Sequence, residues 1–191
     1  MTAQQTNQAQ TNSIDSLDEF YFDESYALKF KDFYESFCVI TERCLGGDVG
    51  APLKMIPWQY TDIIKPLYGW RRKSDDSRRY THCGIWIPKK QNKSGLIAAI
   101  ALYHIIVEEP AASAYVIASK IEQAKIVFNF AANTCRYGKL NNYVGKSKQM
   151  WLRDTNNTIE WTSKQAIKGK LRVMPTTPEG ISGPSASLVL Y

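Results

Sequence analysis

Hydrophobic positions recur along this chain at two periods, and each change of period marks an element. Phe30, Phe33, Phe37, Ile40 and Cys44 follow a three-or-four spacing, one face of a helix, and Gly46-Gly47 follows as its stop. Pro57 opens a denser stretch in which Ile63, Ile64 and Leu67 continue. Proline suits a first helical turn, where its missing N–H is harmless. Cys83-Gly84-Ile85-Trp86-Ile87 is short and mostly apolar, as a buried parallel strand should be. Leu96, Ile100 and Tyr103 then recur at helical spacing in a run rich in Ala and Leu, both good helix formers.

After a break at Glu109-Pro110, Ala114 to Ser119 reads as a second buried strand. The next helix puts Ile121, Ala124, Val127, Phe128, Ala131 and Cys135 on one face, with Glu122, Lys125 and Asn129 off it. Strand, helix, strand, helix predicts a right-handed parallel α/β unit. Farther on, Thr158 to Thr162 reads as a strand, and Leu171-Arg172-Val173-Met174 alternates and pairs with it, ending at Pro175. Gly180 to Pro184 forms a loop, and Ser187 to Tyr191 starts another apolar run of β type. The expected fold class is therefore α/β, a parallel sheet flanked by helices. A polar arm over residues 1–22 and an N-terminal helix and loop over 23–52 precede a core over 53–191. Met1 to Ser16 is mostly Gln, Thr, Asn and Ser, too polar to offset the entropy of ordering, so the arm is expected to be disordered.

At 191 residues, 44% hydrophobic and 22% charged, the composition is that of an ordinary globular domain. No apolar run approaches the roughly 20 residues of a membrane span, and the start lacks a signal-peptide pattern. A soluble, intracellular protein with no membrane partner is expected. Cys38, Cys44, Cys83 and Cys135 show no C-x-x-C pairing and read as free buried thiols. His82 and His104 stand apart from any second ligand at metal spacing, so both are expected to be structural. Charge is uneven: residues 1–64 hold four Lys and Arg against ten Asp and Glu, a net of −6, and residues 65–191 hold twenty against eight, a net of +12. That basic remainder suits a polyanion, nucleotide or nucleic acid, and equally a plain basic surface.

Candidate chemistry concentrates at Ile87-Pro88-Lys89-Lys90-Gln91-Asn92-Lys93-Ser94-Gly95-Leu96, where the apolar run turns into the helical one. A loop entering a helix N-terminus offers unpaired N–H groups and the positive end of the helix dipole to an anion. Lys93 adds a mobile charge and Ser94 a hydroxyl suited to Mg²⁺, the last two positions of the phosphate-loop pattern G-x-x-x-x-G-K-[ST]. Ile87 and Asn92 stand where the pattern has its two glycines. Near the earlier helix start, Gln59 offers donor and acceptor together, the pairing an adenine edge requires, or is a surface Gln on a helix.

Pro57-Trp58-Gln59, Leu67-Tyr68-Gly69-Trp70, Arg78-Arg79-Tyr80, the Ile87–Ser94 loop and the helix carrying Gln123-Ala124-Lys125-Ile126-Val127-Phe128 occur in an order that resembles the N-terminal ATPase domain of the large terminase subunit of tailed bacteriophages. The resemblance covers the chain from about Leu53 to Tyr191. It implies a phosphate-loop NTPase core that binds ATP and Mg²⁺ within a viral DNA-packaging motor. Gln59 matches the adenine-sensing glutamine, Lys93 the phosphate-binding lysine and Ser94 the Mg²⁺ residue; Lys90, Gln91 and Asn92 complete the nucleotide loop. Lys89 falls where the family has an arginine approaching the γ-phosphate, which makes it the implied catalytic contact, with charge but without the planar fork.

The resemblance further implies double-stranded DNA, a portal protein and a small terminase subunit as partners, a homo-oligomeric ring in the complete protein, and the host cytoplasm as its place. In this family a run like Ser187 to Tyr191 is the strand before the acidic pair that completes the Mg²⁺ site. The chain is thus expected to be an N-terminal fragment that binds ATP but hydrolyses it negligibly, with an exposed parallel edge and poor solubility. Two other readings remain at this stage. One is a non-enzymatic nucleic-acid-binding module, from the +12 charge and from aromatics interleaved with Arg in Trp70-Arg71-Arg72 and Arg79-Tyr80. The other is a helicase-type ATPase with the same loop.

Overall fold

The computed structural model describes residues 17–42, 47–108, 111–145, 148–162, 168–175 and 185–191. Expectations resting on 1–16, Cys44, Gly46, Glu109-Pro110 and 180–184 lie outside these residues.

The first helix, α1 (Glu24–Phe37), starts at Asp23, whose carboxylate accepts the Ser25 N–H. It stops at Phe37, short of the Cys44 that the apolar spacing reaches. Cys38 is extended, Val39 bridges to Pro52, and the Ile40 N–H donates to Ala51 O, so the groups that would prolong the helix are taken by residues 50–53. The β-branched pair Val39-Ile40 favours that extended course.

Residues 17–22 also depart from expectation. Leu17–Glu19 forms a 3₁₀ turn, and strand β1 (Phe20–Phe22) pairs antiparallel with β2 (Trp70–Arg72). The short Phe-Tyr-Phe run escapes the polar reading because it has apolar surface to bury: Phe20 is 4% exposed, with the Arg79 guanidinium 4.6 Å above its ring.

A second helical stretch leads into β2: α2 (Pro57–Gln59), a π-helical turn over Tyr60–Ile64, and α3 (Lys65–Gly69). Its Ile63, Ile64 and Tyr68 join Phe30, Phe33 and Tyr34 of α1 in one core. Phe30 stacks on Tyr68 at 4.9 Å, and Tyr103 meets both Phe30 and Phe33 edge-on. Tyr103 closes α4 (Lys93–Tyr103), which a π-helical turn over His104–Glu108 prolongs. Leu96 and Ala98 to Tyr103 are all buried, as expected of a helix apolar nearly all round and enclosed by the rest of the chain.

The main sheet has β3 (Ser113–Ala118), β4 (Met150–Arg153), β5 (Thr158–Thr162), β6 (Lys168–Pro175) and β7 (Leu188–Leu190) in the order β4-β5-β6-β3-β7. β6, β3 and β7 are parallel, while β4 and β5 add on antiparallel, so the sheet is mixed rather than wholly parallel. Helix α5 (Ile121–Tyr137) covers it with Ala124, Val127, Phe128, Ala131 and Cys135, the face the sequence marks. β5 and β6 pair as expected.

The strand expected over Cys83–Ile87 is absent. The segment lies outside the sheet with Trp86 91% exposed and Cys83 exposed, which also removes Cys83 from the buried thiols. An apolar run becomes a strand only when another strand takes up its N–H and C=O groups, and none among the described residues does so. Cys38 and Cys135 are buried, and burial pushes the Cys38 thiol up to about 12. No helix of the described residues is long and apolar enough to cross a membrane.

Candidate functional site

The loop before α4 enters the helix through two left-handed residues, Lys90 at φ 67° and Asn92 at φ 54°. That region disfavours side chains with a Cβ, least of all Asn. Asn92 is the residue at the head of α4, and its own C=O accepts the Leu96 N–H at 3.0 Å. The N–H groups of Lys93, Ser94 and Gly95 have no partner within the helix and lie at the positive end of its dipole. Lys89, Lys90 and Lys93 are exposed, Ser94 is half-buried, and none of the three lysines has an ion-pair partner among the described residues. Three uncommitted ammonium groups beside unpaired amides make this corner receptive to a polyanion.

Two buried side chains, Gln59 and Tyr34, bond to the loop. Gln59 is fully enclosed, and its Nε2 donates to Gln91 O at 2.8 Å, while its Oε1 has no partner among the described residues. Asn92 donates from Nδ2 to the Tyr34 hydroxyl at 2.9 Å, and its Oδ1 is likewise buried without a partner. The Asn92 carboxamide lies so close to Gly95 that a Cβ there would overlap it. Gln59 is therefore no surface residue: the fold carries it to the loop that the sequence marks. Tyr34 has no such signal in the sequence, where it is one aromatic among several on α1.

Beside the loop, a groove of about 740 Å³ runs between Lys93, Ile97 and Ile100 of α4, the 80–86 segment and β7. His104, expected as structural, is 1% exposed beneath it: Nδ1 lies 2.8 Å from Glu108 and Nε2 2.9 Å from Ser187 Oγ, while Arg78 reaches Glu108 at 3.4 Å. Burial works to raise the Glu108 carboxyl, but the His104 hydrogen bond and the Arg78 charge outweigh it and hold the group below the usual range. His82 is exposed, 2.9 Å from Thr81 Oγ1.

Three of the four arginines between Trp70 and Tyr80 are engaged within the chain, while Arg72 is exposed. Arg71 pairs with Asp76 and lies over Tyr26, Arg78 pairs with Glu108, and Arg79 lies over Phe20 and Trp70. Asp76 also accepts the Tyr21 and Tyr26 hydroxyls, which lower its carboxyl, and the Asp76 hydrogen bond pushes the Tyr21 phenol up to about 12. This arrangement binds the β1–β2 ribbon to α1.

As a holder of Mg²⁺, Ser94 offers one hard oxygen, and no group of three or more His, Cys, Asp or Glu comes together among the described residues. That donor set fits an ion carried in on phosphate oxygens rather than one held in a protein cage.

Comparison with known proteins places the chain in a family. The family model described as "Terminase large subunit, ATPase domain" matches residues 57–174. The large terminase subunit of Enterobacteria phage HK97 is 34% identical over 102 residues, covering 52% of this chain and 18% of that protein. The crystal structure of the HK97 bacteriophage large terminase superposes with a TM-score of 0.64 at 22% identity, over 85% of this chain and 30% of that one, a likeness of fold. The chain thus spans less than a third of either relative's length. Since the matched span takes in Gln59, the loop, α4, β3, α5 and nearly all of β6, more than half of the chain, this protein belongs to the family of terminase large subunit ATPase domains.

Proposed function

We propose that this chain is the ATP-binding part of a viral DNA-packaging motor, which in its complete form couples ATP hydrolysis to the movement of double-stranded DNA into a procapsid. The observation that carries the reading is the lysine-bearing loop at the head of α4, tied from below by the buried Gln59. Free amides at Lys93, Ser94 and Gly95 stabilise phosphate oxygens, and Lys93 adds a point charge there. Gln59 reads the adenine: its unpartnered Oε1 is an acceptor for an exocyclic amino group. Lys89 approaches the γ-phosphate as the catalytic contact, and Lys90, Gln91 and Asn92 complete the loop. Ser94 is the protein's ligand to magnesium. The ion, when bound, neutralises charge on the β- and γ-phosphates. The complete protein works as a ring on a portal protein with a small terminase subunit, in the host cytoplasm.

Titration of a fluorescent ATP analogue against the chain and against Lys93→Ala tests the reading. Loss of the lysine should weaken binding by about tenfold or more, as expected for a charge-assisted contact of roughly 1.5–3 kcal/mol. Equal affinity for both proteins would remove Lys93 from the site.

A further inference from the structure

Helix α1 meets the nucleotide loop through Tyr34. Its ring is fully buried beside Phe30, and its hydroxyl accepts the Asn92 Nδ2 hydrogen at 2.9 Å. We propose that Tyr34 is a positioning residue for that loop, fixing the Asn92 carboxamide so that a residue with a side chain holds the left-handed corner at the head of α4. The inference rests on the nucleotide reading above.

A left-handed corner ordinarily calls for glycine, because only glycine adopts it without steric cost. Here Asn92 stands at φ 54°, ψ 32°, and its side chain must go somewhere. It is tucked inward, where Gly95 leaves room for it. Its Oδ1 is already buried without a partner, so the Tyr34 hydroxyl satisfies the other end of the group. Without that hydroxyl the carboxamide would keep its buried, unpaired Oδ1 and lose the protein partner of Nδ2, a costly state that the side chain escapes by swinging outward. The corner would then relax, and the amides of Lys93, Ser94 and Gly95 would lose their common direction. Burial raises the Tyr34 phenol, so the hydroxyl stays neutral at ordinary pH.

Tyr34→Phe keeps the buried ring and deletes only the hydroxyl. Made alone, and also on top of Asn92→Gly, it separates positioning from packing, because a glycine corner needs no tether. Two readouts are taken: the exchange rate of the Leu96 amide, which is bonded to Asn92 O, without nucleotide, and affinity for the ATP analogue. Tyr34→Phe should speed exchange and weaken affinity by roughly fivefold each, about the net worth of one hydrogen bond. In the Asn92→Gly background it should change neither. Unchanged exchange in Tyr34→Phe, or equal effects in both backgrounds, would overturn the positioning role. A wild-type chain that binds no nucleotide, with exchange behaving as expected, would instead overturn the nucleotide reading and leave the tether standing.

Discussion

Gln59 is sealed from solvent yet uses only half of its amide, with Nε2 on Gln91 O and Oε1 unpartnered. A buried acceptor without a donor costs about 1–3 kcal/mol, more than the roughly 1 kcal/mol that the single bond returns. Folding gains little from a glutamine so placed, and on the proposed reading a bound base supplies the missing donor. Gln59→Leu should leave the melting temperature unchanged or raise it slightly, while weakening ATP-analogue binding by about tenfold, if the bound base restores a hydrogen bond of this kind. A variant that melts markedly lower and binds nucleotide normally would show the residue to be structural. The loop around Lys93 and Ser94 could be located in the sequence because an apolar run meets a helical one there, and Gln59 was marked by the family resemblance. Tyr34 was not, since its contact with Asn92 crosses 58 positions and a buried hydroxyl on an aromatic helix face looks like any other core ring.

Between elements, Arg78, Glu108, His104 and Ser187 link the segment after β2, the π-helical turn behind α4 and the start of β7. Because the Glu108 carboxyl is held below its ordinary value, its contribution to stability is fully present above about pH 4.3 and is lost as the pH falls through the depressed folded value. Glu108→Gln should lower stability near pH 7 by about 2 kcal/mol, the worth of a charge-assisted bond. The gap to wild type should then narrow below about pH 4. Thermal melts from pH 7 to pH 3 check this, and parallel curves would contradict it. At this scale α4, β3, α5, β5 and β6 could be read from apolar periodicity, since each buries a face that the sequence itself displays. The end of α1 could not, because backbone partners at residues 50–53 decide it, nor could the fate of Cys83–Ile87. A strand needs a neighbour, and composition does not say whether one is within reach.

Over the whole molecule, a mixed sheet is backed by helices, with β7 at the edge of the described sheet and the lysine-bearing corner of α4 beside the groove along it. The net of −6 over residues 1–64 and +12 over the rest leaves the basic charge on the part of the chain that carries the loop. The span matched by the family includes the loop, and Arg71, Arg78 and Arg79 are engaged in contacts within the chain. The most direct measurement is the set of backbone amide shifts that ATP with magnesium produces in the isotopically labelled chain. The largest changes should fall on Gln91 to Gly95, with smaller ones at Gln59, and should vanish in Lys93→Ala. Shifts confined to the β1–β2 ribbon, or no shifts at nucleotide concentrations that saturate the fluorescent analogue, would contradict a triphosphate seated at the head of α4.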